Sequence, residues 1–476
     1  MPKASMELIL KKAVKKVVPK TAERERLEKL AARALELANK EALKHDAYAI
    51  IAGSLTRDTW LPGKMEFDLF ILFKPSLTRD KLEKFGLQIG KDVIRKLGGR
   101  ATTEYAEHPY TGGCVRGLNI DVVPCYELES TEQLKSSVDR TPFHVRYIEK
   151  KLPAEMSNDV RLLKQFCTAA SVYGADAKTE GFSGYVCELL TIRYGKFAGI
   201  LKAVAGWRAG EIIDIENFYR KEEYREFAKA FKNQPLIIVD PTDRTRNTAA
   251  AVSPASFCKL RSVARRFLEK PTLEAFFPKP KKPLSANELK TVVQERETSV
   301  IVVSFKPPAV VPDILWPQMR RLGQRLESIL GENDFDVLRR DVYTNGYRLA
   351  AVIIEMENCR LPAVRKRIGP SVFDETGARN FAKTYKRSAI NGPFVEAGFW
   401  VVETKRRFRT AQEKLGDSLG DSLKVLEAKG VPSHVARQIS RGFQVTADVE
   451  KIAKLAKNDK GFGVFLRDYF DKENLS

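Results

Sequence analysis

The sequence predicts a multi-domain α+β protein, in which a small mixed sheet, a helical segment, a second sheet and a helical tail follow one another. At 476 residues the chain is too long for one ordinary core, because domains usually contain about 100 to 200 residues. Apolar residues recur with a strand period near the N-terminus and again after residue 298, and with a helical period between and beyond these regions.

The composition favours a soluble, cytoplasmic protein over a membrane or disulfide-stabilised one. The longest apolar runs, such as Leu69 to Phe73, are far shorter than the roughly 20 residues that a bilayer span requires. Lysines interrupt the N-terminal apolar residues, so no signal peptide is predicted. The six cysteines form no close pair and the chain has four histidines, which indicates neither a disulfide scaffold nor a zinc site.

The charge balance points to a polyanionic partner. Lysine and arginine outnumber aspartate and glutamate by 82 to 61, and the excess is spread through several segments. Nucleic acid is the first candidate partner. A chain that is basic only for solubility is the alternative interpretation.

The first 150 residues predict a small mixed sheet backed by helices. Residues 21–44 place Leu27, Leu30 and Leu37 on one helical face. The order expected after this helix is a strand at Ala47 to Ala52, a helix opening after Gly53-Ser54, a turn at Pro62-Gly63, and strands at Met65 to Phe73 and Leu118 to Pro124.

The rest of the chain predicts a helical domain followed by a second sheet. Residues 155–270 have helical periodicity and predict an all-helical unit. Residues 277–283 contain three prolines and three lysines, which suits an exposed linker. The predicted boundaries are therefore 1–150, 151–275 and 276–476.

After the linker, the elements follow a β-α-β-β order that predicts a ferredoxin-like or RRM-like sheet. They are Ser299 to Phe305, Trp316 to Leu330, Asp336 to Val342 and Arg348 to Met356. Such sheets often present RNA-binding surfaces, but the aromatic motif of standard RRM domains is absent, so base stacking on this sheet does not follow. The last 65 or so residues predict a helical tail.

Acidic residues occur inside two otherwise apolar strands. Glu66 and Asp68 are two apart, so their side chains share one face, and Asp121 lies within the next apolar strand. Burying charge without a partner costs several kcal/mol or more, and a metal ion is the simplest partner for such a group. The three carboxylates are candidate metal ligands and candidate catalytic residues.

Three carboxylates on adjacent strands suit two Mg²⁺ ions that bridge an attacking hydroxyl and an α-phosphate, which predicts nucleotidyl transfer. Gly53 permits close backbone approach, and Ser54 precedes the expected helix, whose N-terminus would hold a triphosphate. Arg57, one turn along, would face the same anion. A Gly-Ser pair or two acidic residues in a strand are each more often structural when they occur alone. Both together, in this strand context, predict a catalytic site.

These motifs resemble the DNA polymerase β nucleotidyltransferase superfamily, and the longer blocks resemble the archaeal, class I CCA-adding enzymes. The superfamily likeness rests on residues 52–61, the Glu66/Asp68 strand and Asp121. The closer likeness rests on blocks at Glu107 to Tyr110, Ile120 to Tyr126, Asp139 to His144, Arg161 to Lys164, Gly181 to Tyr185 and Asp240 to Arg244.

The resemblance implies a catalytic nucleotidyltransferase head, a helical neck that binds nucleotide, and a tRNA-binding body and tail. It implies that Glu66, Asp68 and Asp121 are the metal ligands. The residues implied to hold the incoming nucleotide are Gly53, Ser54, Arg57, His144, Lys164, Tyr173 and Arg246. His144 and Tyr173 could equally be packed core residues, and Arg244 competes with Arg246 for reading the base edge.

The expected activity is addition of C, C and A to the 3′ end of tRNA from CTP and ATP, with Mg²⁺ and without a nucleic-acid template. A homodimer is expected by the same resemblance. The basic runs Arg320-Arg321, Arg365-Lys366-Arg367 and Lys405-Arg406-Arg407 suit tRNA phosphates or, alternatively, solvated faces. Competing interpretations are a poly(A) or other terminal nucleotidyltransferase, and a non-catalytic RNA-binding protein with the same fold.

Overall fold

The computed structural model describes residues 3–105, 108–472 and 474–475. It separates into two compact units, Met1–Lys279 and Pro280–Asn474. The division falls inside the segment that is rich in proline and lysine, where residues 278–285 form neither helix nor strand. The predicted head and neck therefore lie within one compact unit.

The N-terminal part of the first unit is built on a five-stranded sheet. Its elements are α1 (Lys3–Val17), α2 (Thr21–Ala42), β1 (Tyr48–Ala52), β2 (Glu66–Phe73), α3 (Arg79–Lys96), β3 (Arg100–Tyr105), β4 (Pro109–Val115), β5 (Leu118–Tyr126) and α4 (Thr141–Lys151). The strand order is β1-β2-β5-β4-β3, in which β2 and β5 are parallel and the other neighbours antiparallel. The predicted mixed sheet is confirmed, although β3 and β4 were not predicted.

The two faces of this sheet are buried differently. Leu69 and Ile71 of β2 and Ile120 and Val122 of β5 pack into a core that also holds the apolar sides of α2 and α3. The alternate residues of the same strands face the other way, where Phe70, Leu72 and Cys125 pack against Val145 of α4. Because side chains alternate along a strand, Asp68 and Asp121 belong to this second face.

The helix expected after Gly53-Ser54 does not form, so that prediction was wrong. Residues 53–58 are a series of turns, closed by a hydrogen bond from the Thr59 amide to the Ser54 carbonyl at 2.9 Å. The segment before Pro62 is too short to propagate a stable helix, and its polar side chains bind other elements instead. Strands β1 and β2 are therefore antiparallel neighbours joined by a long loop.

The second half of this unit is mostly helical but also contains a small sheet. Its elements are α5 (Ser157–Ala169), α6 (Gly184–Tyr194), α7 (Phe197–Gly206), β6 (Glu211–Ile213), α8 (Tyr224–Lys229), β7 (Leu236–Asp240), β8 (Asp243–Asn247) and α9 (Pro254–Glu269). Strand β7 pairs parallel to β6 and antiparallel to β8. The expectation of an all-helical segment was wrong, because the Leu236 to Val239 run is apolar and β-branched and forms a fully buried strand.

The second unit is arranged around a four-stranded sheet. Its elements are α10 (Ala286–Glu295), β9 (Ser299–Phe305), α11 (Pro312–Gly331), β10 (Val337–Thr344), β11 (Ala350–Met356), β12 (Val364–Ser371), α12 (Glu375–Tyr385), β13 (Ala389–Glu396), β14 (Phe399–Lys405), α13 (Ala411–Leu419), α14 (Leu423–Ala428), α15 (Ser433–Ile439), β15 (Phe443–Thr446), α16 (Val449–Asn458) and α17 (Lys460–Phe470).

The order of this sheet, β10-β11-β9-β15 with all neighbours antiparallel, is the ferredoxin-like arrangement. The predicted β-α-β-β series is confirmed. The fourth strand, β15, lies in the tail that was expected to be entirely helical. Both faces are covered, since Ile301 and Val303 of β9 pack into one core with α11, while Val300 and Val302 pack into another with α16 and α17.

A smaller sheet in the order β12-β14-β13 is inserted between β11 and the tail, and it was not predicted. Helix α12 packs on one face, where a side chain at Gly369 would meet the Phe381 ring. Strand β12 carries the basic run at 365–367, which masks its strand character in the sequence. No helix within the described residues is long and apolar enough to cross a membrane.

We expect Gly86→Ala to destabilise the first unit, because a Cβ there would lie 2.6 Å from Cγ of Pro124 and push α3 off the sheet. Overpacking of this kind costs about 1 to 3 kcal/mol. Gly206→Ala at the end of α7 is the matched control, since no atom of the described residues lies within 4 Å of its Cβ position. Urea unfolding followed by circular dichroism measures both variants, and equal stabilities would contradict the packing account.

Candidate active site

The three predicted metal-ligand carboxylates face one cavity of about 590 Å³. Strands β2 and β5 run parallel with Asp68 beside Asp121, and Glu66 lies two pairs away beside Asn119. Gly53 and Ser54, at the end of β1, line the same cavity. The remaining lining residues are Phe67, Arg100, Thr102, Glu104, Tyr110, Gly112, Gly113, Cys114 and Asn119.

The carboxylates repel one another across this cavity. Burial raises the pKa of Asp68 to about 7, and the nearby charges of Asp121 and Glu66 add to the rise, while Arg57 opposes it. The pKa of Asp121 is also raised, by burial and then by Glu104 and Glu66. Glu104 of β3 is thus a fourth acidic group at this cavity, and the sequence analysis missed it.

The side chains at the cavity fit a divalent cation, because oxygen ligands are what Mg²⁺ and similar ions prefer. A cation would also relieve the repulsion that raises the pKa values of Asp68 and Asp121. As they stand, no three His, Cys, Asp or Glu side chains within the described part of the chain are arranged as a metal site. Mutually repelling carboxylates have no reason to converge before a cation binds, so the metal-ligand assignment stays a prediction.

Two glycines leave room for the carboxylates. Gly53 has a φ of +84°, and a Cβ there would lie 3.1 Å from Oδ2 of Asp68. At Gly112, a Cβ would lie 3.0 Å from Cγ of Glu104 and 3.3 Å from Oδ1 of Asp121. The strand-to-turn junction after β1 therefore needs glycine for both its backbone angle and its close approach to the acidic group.

Ser54 lines the cavity, but the helix N-terminus expected beside it is absent. The expectation that a helix dipole at Ser54 holds a triphosphate was wrong for this reason. Turn residues 53–58 can still present backbone N–H groups to an anion. Ser54 stays a predicted nucleotide-binding residue through its hydroxyl and its position.

Arg57 and Lys164 lie outside the cavity lining, in a buried cluster around Glu188 of α6. One Glu188 oxygen lies 3.0 Å from Nη2 of Arg57, and the other accepts hydrogen bonds from Oγ1 of Thr59 at 2.7 Å and Nζ of Lys164 at 3.4 Å. The two cations hold the pKa of Glu188 below its usual value although burial opposes this. The side chain of Arg57 is 10% exposed, and its buried Nε and Nη1 have no hydrogen-bond partner among the residues that the structure describes.

Tyr173 lies beside this cluster. It is partly buried against the core of the helical segment, and Nζ of Lys64 lies 4.5 Å from its ring centroid. A Cβ at Gly184 would lie 3.2 Å from the Tyr173 hydroxyl and 3.5 Å from Cε of Lys164, so glycine opens the first turn of α6 at this point. The packed-core and nucleotide-binding interpretations of Tyr173 are compatible with this position.

His144 and Arg246 meet at Asp240, in a second polar cluster on the β7–β8 turn. Oδ2 of Asp240 accepts hydrogen bonds from Nη1 of Arg246 at 2.7 Å and from Nε2 of His144 at 2.9 Å. The His144 ring stacks on Tyr185 with the ring centroids 4.1 Å apart. Arg244, the competitor for base reading, lies over Tyr219 instead.

Helix α6 connects the two clusters. Tyr185 belongs to the Asp240 cluster and Glu188 to the Arg57 cluster, one helical turn apart. Glu188 was not singled out by sequence analysis, and Tyr185 entered it only as the last residue of the block from Gly181 to Tyr185. An acidic residue within an apolar helical run, such as Glu188, suggests a buried charge that needs a partner. The sequence does not show which distant residue that partner is.

Comparison with known proteins agrees with this architecture. Three family models match in order, described as "Nucleotidyltransferase domain" over residues 32–144, "tRNA nucleotidyltransferase, second domain" over 158–277 and "CCA-adding enzyme, C-terminal domain" over 296–448. A CCA-adding enzyme of Methanosarcina acetivorans is 38% identical over 466 residues, which cover 97% of this chain and 98% of that protein.

The chain belongs to the CCA-adding enzyme family. A relative from Methanopyrus kandleri is 36% identical and covers 99% of this chain and 98% of its own length. One from Halobacterium salinarum is 38% identical over 85% of this chain and 87% of its own length. The resemblance noted from the sequence is confirmed, and the chain is a nucleotidyltransferase. Among the motifs that carried it, Glu107 lies outside the described residues.

In metal-free buffer we expect Asp68→Asn to stabilise the folded chain, by an amount that grows between about pH 4 and 7. The pKa of Asp68 rises from 3.8 to about 7 on folding, so over this window the folded wild type retains a proton that the unfolded chain releases. Wild-type stability therefore falls as pH rises, by at most roughly 1.4 kcal/mol per pH unit from this group.

Urea unfolding in EDTA at several pH values measures the difference between wild type and Asp68→Asn. Asp46→Asn is the control, because Asp46 is an exposed partner of Lys74 in the same unit. Added Mg²⁺ should stabilise the wild type more than Asp68→Asn. A difference that does not vary with pH would contradict the repulsion between carboxylates.

Proposed function

We propose that this enzyme adds C, C and A to the 3′ end of tRNA, taking the nucleotides from CTP and ATP without a nucleic-acid template. The observation that carries the proposal is the parallel pairing of β2 and β5, which puts Asp68 beside Asp121 and turns Glu66 toward the same cavity. Membership of the CCA-adding enzyme family supports this choice of nucleotides and of tRNA as the acceptor.

In the proposed reaction, the 3′ hydroxyl of tRNA attacks the α-phosphorus of the nucleotide. A P–O bond to the tRNA forms, the bond to pyrophosphate breaks, and the hydroxyl proton passes to solvent water. Glu66, Asp68 and Asp121 would hold two divalent cations, which we propose are Mg²⁺ and which supply charge neutralisation at the phosphates. The protein catalyses chiefly by positioning and by fixed charge.

The proposed nucleotide site extends from the cavity to the two polar clusters. Ser54 lines the cavity and Arg57 follows three residues later, where its guanidinium charge suits a triphosphate. Lys164 adds a second cation, held by Glu188. Tyr173 offers a flat ring with a hydroxyl to the sugar, and His144 and Arg246 offer donors to the base.

The second unit is proposed to grip tRNA phosphates through its basic residues. Several of these already face acidic partners, since Asp334 pairs with both Arg365 and Arg406, and Asp417 pairs with Arg407. Phosphates must therefore compete with carboxylates at these positions, so we expect their contribution to tRNA binding to be moderate and salt-dependent. By family resemblance we also propose a cytoplasmic location and a homodimer.

Incubation of tRNA that lacks its terminal CCA with all four nucleotides, one of them labelled in each reaction, tests the proposed specificity. We expect incorporation of C and A, with extension stopping after the terminal A. A terminal transferase of the same superfamily would instead add A or U without limit, and that outcome would refute CCA addition.

We expect Asp68→Asn and Asp121→Asn to lower nucleotide incorporation by more than about 1,000-fold while tRNA affinity changes little, because the carboxylates act on the reacting phosphate. Single-turnover incorporation and a filter-binding assay with tRNA separate the two effects. Asp46→Asn again serves as the control. Wild-type activity in both cavity variants would favour a role in RNA binding alone.

A further inference from the structure

We propose that Asp240 is a positioning residue that determines base specificity by fixing the guanidinium of Arg246 and the imidazole of His144. The proposal rests on the proposed function, in which those two side chains meet the nucleotide base. It concerns a residue that holds the base-reading donors in place and does not itself touch the nucleotide.

Asp240 is a fully buried carboxylate with donors on both oxygens. Oδ1 accepts from the amide of Thr242 at 2.9 Å, from its hydroxyl at 2.8 Å, and from the Tyr185 hydroxyl at 3.4 Å. Oδ2 accepts from Arg246 and His144 at the distances given above. Thr242 lies in the turn that follows Asp240, so its two hydrogen bonds orient the carboxylate independently of Arg246 and His144.

The guanidinium of Arg246 is bound to Asp240 through Nη1 alone. The Arg246 side chain is 36% exposed, whereas Asp240 is fully buried, so the other guanidinium donors are available to a ligand. A free arginine loses side-chain entropy when it binds a base edge. A guanidinium that is already oriented loses less, and it rejects bases whose acceptors do not match its fixed donors.

Residues other than Asp240 attach the β7–β8 turn to the N-terminal half of the unit. Oδ2 of Asp243 accepts from Nε of Arg140 at 3.1 Å, and the Thr242 carbonyl accepts from the Thr131 hydroxyl at 2.6 Å. These contacts connect the turn to the N-terminal half of the unit. The carboxylate of Asp240 instead gathers the two proposed base-reading side chains and the Tyr185 ring that stacks on one of them.

The test compares Asp240→Asn with Asp243→Asn, which removes a carboxylate from the same turn without touching Arg246 or His144. For each variant, kcat and KM are measured for the cognate nucleotide and for UTP on tRNA primers that end before each position. We expect Asp240→Asn to lower the preference for the cognate nucleotide roughly 10- to 100-fold, mainly through a higher KM. Asp243→Asn should lose thermal stability and keep the wild-type preference.

Arg246→Ala and the double variant of Asp240→Asn with Arg246→Ala separate the positioning role of Asp240 from the proposed role of Arg246 as base reader. We expect Arg246→Ala to lose the preference, and Asp240→Asn to add little more in that background, since one removes the donor fork and the other its anchor. If Arg246→Ala loses the preference and Asp240→Asn keeps it, the positioning role is overturned. If Arg246→Ala keeps the preference, the assignment of Arg246 as base reader fails, and the role of Asp240 fails with it.

Thr242→Val keeps the test decisive if Asp240→Asn does not fold. It preserves the shape of the turn and removes the hydroxyl that orients the carboxylate. A smaller loss of preference in the same direction is expected, and an unchanged preference would overturn the proposal. Circular dichroism and the melting temperature of each variant show whether the fold is intact.

Discussion

The parallel pairing of β2 and β5 places Asp68 beside Asp121 on a partly buried face, where burial and their mutual repulsion raise the pKa of Asp68. Apolar residues on either side of each aspartate hold the strands in register, because a shift by one residue would turn Leu69 and Val122 out of the core. The core thus keeps together two carboxyl groups that repel each other whenever both are ionised. Glycines at 53 and 112 supply the space that the carboxylates occupy.

The helical segment adds buried polar clusters around two carboxylates, each of which is matched by several donors. Glu188 and Asp240 are fully buried, and each anchors cationic or polar side chains that the sequence marked as nucleotide-binding. A buried charge is tolerated when it is paired and hydrogen-bonded, and both residues meet that condition. Since Tyr185 and Glu188 lie one turn apart on α6, the position of that single helix affects both clusters.

The acidic strands were predictable because their signal is local: carboxylates inside apolar runs of β-branched and aromatic residues. The ferredoxin-like sheet was predictable because its first three strands and its helix have strong apolar periodicity. The partners of Arg57, Lys164, His144 and Arg246 were not, because Glu188 and Asp240 approach them only in the folded chain. The short polar strand β8 and the basic strand β12 lack apolar alternation. The loop at 53–58 was expected to open a helix, but Arg57 pairs with Glu188 and Asp58 with Arg161, and both of these partners are distant in the sequence.

The burial of both faces of the β10-β11-β9-β15 sheet limits how the second unit can meet an RNA. Nucleobases cannot stack on a sheet whose two sides are already filled by helices, which leaves the outer helices, the loops and the small β12-β14-β13 sheet as available surface. These regions carry lysine and arginine, which read the spacing of phosphates and leave base identity unread. A surface of this kind would accept RNA molecules of common shape and different sequence.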